Sequence, residues 1–169
     1  SSTGYNSREV YQIRKDKKLN KGSDFYLVGG MGHTSNLALG VSLKTNSQVI
    51  SLDGDGSMLM HLGSFINILL YGRKNFKYIL LNNNSHESVG SQKTNINMIN
   101  IKLFSKSLGF KNYYEIKDQK NFYRTFNKFY KSNGPSFLNI YTKEGTLNNL
   151  SRPKNLLNVK NLFKKNFKK

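Results

Sequence analysis

Short apolar runs bounded by glycine, asparagine or aspartate alternate along this chain with stretches whose apolar residues recur at helical spacing. Phe25-Tyr26-Leu27-Val28 reads as a first buried strand, closed by Gly29-Gly30. Residues 33–43 then place Leu37, Ala38, Val41 and Leu43 on one helical face. Val49-Ile50-Ser51-Leu52 is a second strand that stops at Asp53-Gly54, and residues 57–71 read as one long apolar helix ended near Gly72. Tyr78-Ile79-Leu80-Leu81 is a third strand, buried on both faces, that runs into an asparagine triplet. A polar loop over 86–97 leads to a helix over 101–108 and a short strand at Tyr113-Tyr114-Glu115-Ile116. Asp118 can cap a further helix to about Tyr130, and Gly134-Pro135 turns the chain into a last strand, Phe137 to Tyr141. Strand and helix signals in alternation predict an α/β domain, three layers deep (α/β/α), with a mainly parallel sheet.

In such sheets ligands sit at the carboxyl ends of the strands. Three loops follow predicted strands, 29–33, 53–57 and 82–92, and can converge on one crevice. Asp55, between Gly54 and Gly56, offers a hard carboxylate oxygen, and Asn83 a neutral carbonyl oxygen. Mg²⁺ takes few protein oxygens and completes its octahedron with phosphate oxygens and water. Glycines beside the acid let backbone approach phosphate with no Cβ in the way. Asp53-Gly54-Asp55-Gly56-Ser57 also begins like a calcium loop, but the sixth and twelfth positions, where an EF-hand needs glycine and glutamate, hold Met58 and Ser64. Gly30-Met31-Gly32 with Asp53 closing the next strand imitates a dinucleotide fingerprint. The third glycine of that fingerprint is replaced by Ser35, and the imitation leaves Asp55 and the asparagines unexplained. His61 lies within an apolar stretch and reads as a packed core residue. His33 and His86 sit on ligand-side loops, where a titrating imidazole can meet substrate.

Composition narrows the picture. The 169 residues contain no cysteine, so neither a disulfide framework nor a thiolate metal site is available. No apolar run is long enough to span a membrane, and a cytoplasmic protein is expected. The chain opens Ser1-Ser2-Thr3 without an initiator methionine, as a processed chain, a fragment or the later part of a longer polypeptide would. The formal net charge of +18 raises a nucleic-acid reading, but the lysines are dispersed and accompanied by many asparagines, which disfavours that partner. The exception is the C-terminus. There Lys160, Lys164, Lys165, Lys168 and Lys169 interleave with Leu162, Phe163 and Phe167, as in a solvated basic tail or a docking helix.

The motifs together resemble the C-terminal, thiamine diphosphate-binding domain of phosphonopyruvate decarboxylases. The signature of thiamine diphosphate enzymes is GDG followed some 25 to 30 residues on, roughly, by NN. Here it is Gly54-Asp55-Gly56 with Asn82-Asn83. The likeness runs from Ser2-Thr3-Gly4-Tyr5-Asn6-Ser7-Arg8-Glu9 through Val28-Gly29-Gly30-Met31-Gly32-His33 and Asp53 to His61, and is most specific over Leu81 to Gln92. Sister sulfopyruvate decarboxylases share the frame but typically lack the histidine at His33. The resemblance implies residues 1–145 as the cofactor-binding domain and 146–169 as the basic tail or docking helix. It implies Mg²⁺ on Asp55, Asn83 and the main-chain oxygen of Ser85, and the diphosphate on Gly56 and Ser57 beside Gly54. Gly29 would meet the aminopyrimidine with Gly30 beside it, and Met31 would wedge the cofactor into its bent shape. His33 and His86 would serve acid–base or phosphonate contacts, with Ser88 and Gln92 as weaker substrate candidates. The reaction implied is decarboxylation of a small anionic 2-oxo acid, phosphonopyruvate to phosphonoacetaldehyde in phosphonate biosynthesis. Its activating glutamate would come from a pyrimidine-binding partner subunit or N-terminal domain in a homo- or hetero-oligomer.

Overall fold

The computed structural model describes residues 1–19 and 23–165, so the basic positions read at Lys168 and Lys169, with Phe167, lie outside the described residues. In chain order the elements are α1 (Tyr5–Asp16), α2 (Thr34–Ser42), β1 (Val49–Gly54), α3 (Asp55–Met60), α4 (Ile66–Tyr71), β2 (Phe76–Asn82), α5 (Ile101–Ser107), β3 (Asn112–Ile116), α6 (Phe122–Lys131), β4 (Ser136–Tyr141) and α7 (Leu156–Lys165). Single 3₁₀ turns occupy Leu62–Phe65, Glu87–Val89 and Ile96–Met98. The four strands form one sheet in the order β1-β2-β4-β3, and all three pairings are parallel. Register sets Gly54 beside Leu81 and Asn82 beside Tyr141, so the strands release their chains at one common edge.

The period-two alternation within the strands divides the core. Tyr78 and Leu80 of β2 and Phe137 of β4 turn to a layer containing Ala38, Leu39, Phe65, Ile68 and Ile101. Their neighbours Ile79 and Leu138 turn to Ile116 and Phe129 on the other side. Aromatic rings dominate the first layer, with Tyr78–Phe137 and Phe65–Tyr78 centroids 5.0 and 5.1 Å apart. Each such contact adds roughly 0.5–1.5 kcal/mol beyond burial. One cation lies within the sheet. Lys77 is fully buried, and its Nζ donates to Phe129 O at 2.7 Å, Ser132 Oγ at 2.8 Å and Ser132 O. It thereby satisfies carbonyls that the end of α6 leaves open.

Three expectations are corrected. Residues 25–28 pair with no strand; the run is used side chain first, with Phe25 against Phe163 of α7 and Tyr26 against Tyr11 of α1, centroids 5.3 and 5.6 Å apart. The single helix over 57–71 is broken at His61 (φ −147°, ψ 49°), followed by a 3₁₀ turn that contains Gly63. Its last part, α4, buries only Ile68. His61 is therefore exposed at a joint, and its ring lies 4.4 Å from that of His33. Helix α1 has no counterpart in the apolar pattern, because it buries only Ser7. Among the described residues no helix is long and apolar enough to cross a membrane.

Candidate functional site

The common strand edge opens into a cleft of about 150 Å³, lined by the turn after β1, the loop after β2, the segment after β4 and the start of α1. Asp55, Gly56, Ser57, Asn83, Ser85, His86, Ser88 and Met31 all face it. The loops after β1 and β2 thus meet as expected, because β1 and β2 are parallel neighbours in register.

Asp55 opens α3 and is only 1% exposed. Thr94 Oγ1 donates to its Oδ2 at 2.5 Å, and the backbone amides of Gly56 and Asn83 also bear on it. Burial outweighs these bonds and pushes the carboxyl above its ordinary value. The ion pairs among the described residues, Arg14–Asp24, Lys93–Glu144 and Lys117–Glu115, leave Asp55 with no cation. Asn83 is oriented from both ends: Nδ2 donates to Glu87 Oε2 at 2.7 Å, and Oδ1 accepts from Ser85 N–H at 3.0 Å. The Ser85 hydroxyl is buried and has no hydrogen-bond partner among the described residues. Among the described residues no three His, Cys, Asp or Glu side chains cluster. Asp55, Asn83 and the main chain beside them offer one carboxylate, one amide oxygen and main-chain oxygens, a set suited to a hard cation that keeps other ligands, while Glu9 and Glu87 also line the cleft.

Asp53 plays a different part. It is wholly buried, accepting from Tyr78 OH at 2.9 Å and Gly54 N–H at 3.0 Å, with the Ser57 and Ser2 hydroxyls also on it. Burial raises its carboxyl too. Such a group cannot reach a ribose, which removes the dinucleotide reading. Ser57 Oγ also accepts from Gly32 N–H at 3.0 Å, and so ties the glycine loop to α3.

That loop carries Gly29, Gly30 and Gly32 at φ of +77°, +63° and +89°. Thr3 Oγ1 donates to Gly29 O at 2.6 Å. Met31 reaches the cleft, whereas Gly29 and Gly30 lie outside its lining. The reason for glycine at Gly56 differs from the one expected. A Cβ there would meet His86 Nδ1 at 2.4 Å, so the missing side chain makes room for the imidazole. Of the histidines, His86 lines the cleft, while His33 packs at a tilt against His61 outside it. Gln92 is also outside; its main-chain oxygen accepts from His86 N–H at 2.8 Å. Thr94 and Glu87 escaped the sequence reading. Both sit in the polar loop after β2, where neither periodicity nor a metal-ligand spacing singles them out.

Residues 2–140 match the family described as thiamine pyrophosphate enzyme, C-terminal TPP binding domain. The chain is 30% identical over 154 residues to a phosphonopyruvate decarboxylase of Streptomyces viridochromogenes, covering 91% of this chain and 38% of that protein. It is 32% identical over 149 residues to a sulfopyruvate decarboxylase of Methanosarcina acetivorans, covering 88% and 37%. Against a sulfopyruvate decarboxylase subunit beta of Methanothermobacter thermautotrophicus the identity is 34% over 142 residues, covering 84% and 71%. The chain spans under two fifths of the first two relatives.

Proposed function

The chain belongs to the thiamine pyrophosphate enzyme family, as its C-terminal TPP-binding domain, and from that premise we propose that it is the diphosphate-holding part of a 2-oxo acid decarboxylase acting on phosphonopyruvate. The observation that carries the cofactor site is Asp55, a buried carboxylate that pairs with no cation among the described residues, set against the backbone of Asn83. In this reading Asp55 Oδ, Asn83 Oδ1 and the Ser85 main-chain oxygen hold Mg²⁺. The N–H groups of Gly56 and Ser57, in the first turn of α3 next to Gly54, take the diphosphate. Met31, which lines the cleft, would pack against the cofactor, and the Gly29 carbonyl beside Gly30 would take the aminopyrimidine. When bound, thiamine diphosphate supplies the carbon nucleophile and the electron sink that loss of carbon dioxide from a 2-oxo acid requires.

His86, inside the cleft, holds or delivers a proton at the substrate, with Ser88 beside it. His33 would contact the substrate's second anionic group, and Gln92 supports the loop that carries His86. Choice of phosphonopyruvate over sulfopyruvate is supported by the segment Leu81 to Gln92 and by His33. The relatives of both names stand at similar identity. A pyrimidine-binding subunit, or an N-terminal domain of a longer polypeptide, supplies the pyrimidine side and its glutamate. All four glutamates of this chain are engaged: Glu9 with Thr146, Glu87 with Asn83, Glu115 with Lys117 and Glu144 with Lys93.

Thermal stabilisation by thiamine diphosphate with and without Mg²⁺ tests the site. A Mg²⁺-dependent shift in wild type that vanishes in Asp55→Ala is expected; stabilisation by NAD instead, or a shift indifferent to Asp55, overturns the reading. Once a pyrimidine-binding partner restores turnover, the two 2-oxo acids assayed side by side decide the substrate.

A further inference from the structure

A side-chain amide can serve a cation only by its oxygen end, yet its two ends are nearly equal in size and shape. Something must decide which end of Asn83 faces the cleft. The Ser85 N–H donor at 3.0 Å from Oδ1 supplies one preference, from the loop's own backbone. The stronger one comes from a carboxylate, which only accepts hydrogen bonds, 2.7 Å from Nδ2.

We propose that Glu87 is a positioning residue that locks the Asn83 amide with its oxygen toward the cation site. The proposal rests on the reading of Asn83 as a Mg²⁺ ligand. With the amide reversed, Oδ1 would face the Glu87 carboxylate, acceptor against acceptor, and Nδ2 would face the Ser85 N–H, donor against donor. Both contacts would become repulsive at once. Glu87 is itself well held. It opens the 3₁₀ turn Glu87–Val89, is half-buried, and its Oε1 accepts from Gly145 N–H in the segment after β4. Among the described residues it makes no ion pair, so no cation competes with the amide for it. The arrangement has a cost that argues for a purpose. Glu87 adds its carboxylate, beside that of Glu9, to the wall of a cleft that already contains Asp55 and receives an anionic cofactor. A residue kept only to tether Gly145 would need a neutral acceptor and no charge.

The test titrates Mn²⁺, observed by electron paramagnetic resonance as a stand-in for Mg²⁺, into the chain with thiamine diphosphate. Wild type, Glu87→Met, Asn83→Ala and the double variant are compared. Outer-shell partners of metal ligands typically contribute about 10–100-fold to metal affinity. Glu87→Met is expected to raise the Mn²⁺ half-saturation by about that factor, and the double variant to bind no worse than Asn83→Ala alone. Glu87→Met with unchanged half-saturation overturns the proposal. So do effects that multiply, since Glu87 would then act through the Gly145 tether. If wild type retains no Mn²⁺ with the cofactor, the cation site itself falls and the proposal with it. A second measurement needs no metal. The Asn83 side-chain amide signals in the ¹⁵N–¹H spectrum of the cofactor-free chain should move in Glu87→Met and stay in place in Glu144→Gln; an unmoved pair in Glu87→Met also overturns the assignment.

Discussion

At Gly56 the absent side chain serves a neighbouring residue. With a Cβ set to lie 2.4 Å from His86 Nδ1, Gly56→Ala must displace the imidazole from the cleft. We expect Gly56→Ala to lose about 1–2 kcal/mol of stability by denaturant unfolding, the usual penalty of overpacking. The same change in a His86→Ala background should be neutral or stabilising, because alanine is the better helix former in α3. Equal losses in both backgrounds would mean that the crowding lies elsewhere. Thr94 offers a second test, since its hydroxyl is the donor at 2.5 Å to Asp55 Oδ2. Thr94→Val keeps the shape and removes the donor, so the carboxylate loses its orientation. We expect Mg²⁺ dependence of cofactor binding to weaken about tenfold, read from the Mg²⁺ half-point of the thermal shift. Asp55 and Asn83 were legible in the sequence because a carboxylate between glycines and an amide at the next strand end are unusual at those places. Thr94 and Glu87 were not. Each works through one hydrogen bond across the loop, and one-dimensional spacing contains no trace of such a bond.

Lys77 shows how far an element can depend on one buried contact. Its ammonium closes the end of α6 from within β2, joining a strand to the carbonyls of Phe129 and Ser132. Lys77→Met fills the same volume and removes the donor to Ser132 O, at about 1–3 kcal/mol for a buried unpaired polar group, while Phe129 O keeps the Ser132 N–H and Oγ. Amide exchange should quicken most in the last turn of α6, and uniform quickening would argue against a capping role. At the other edge of the sheet Glu115 of β3 accepts from Tyr113 OH and Tyr141 OH, both at 3.1 Å, and pairs with Lys117. Burial pushes its carboxyl up, but the bonds from Lys117, Tyr113 and Tyr141 outweigh that and hold it below its ordinary value of 4.5. A carboxyl depressed in the folded state adds stability that is complete at neutral pH and lost as pH falls through its folded value. The advantage of wild type over Glu115→Gln should therefore be constant above about pH 5 and shrink below it. The site is 31% exposed, so the whole effect stays under about 1 kcal/mol. An advantage that grows toward acid pH would show the sign to be wrong. Elements with a strong apolar period, β1, β2, β4 and α2, were readable in advance. The break at His61 was not, since periodicity registers which face is apolar and takes no account of a joint between two short helices.

For the molecule as a whole, the central expectation is that this chain alone does not decarboxylate phosphonopyruvate or sulfopyruvate at an enzymatic rate. Turnover should appear on adding a pyrimidine-binding partner, and steady turnover by the purified chain would refute the need for one. The charge of +18 makes a separate prediction. Any binding to duplex DNA should fall steeply between about 50 and 200 mM salt, as phosphate contacts do, and should be indifferent to Asp55→Ala. The cofactor site must behave in the opposite way on the second count. The sequence by itself determined the layer class, the four strands that build the sheet (with a fifth, at 25–28, that does not join it) and the two side chains, Asp55 and Asn83, that line one cleft at its edge. Those features follow from local period and from rare residue types at strand ends, and both are properties of the chain read in order. Only the tertiary structure decided that Asp53 is sealed under Tyr78, that His86 lies in the cleft while His33 packs against His61, and that Glu87 and Thr94 bond the two candidate ligands. Each of these depends on which loops are brought together by the parallel register of β1, β2 and β4, and that is fixed by packing between residues far apart in the chain.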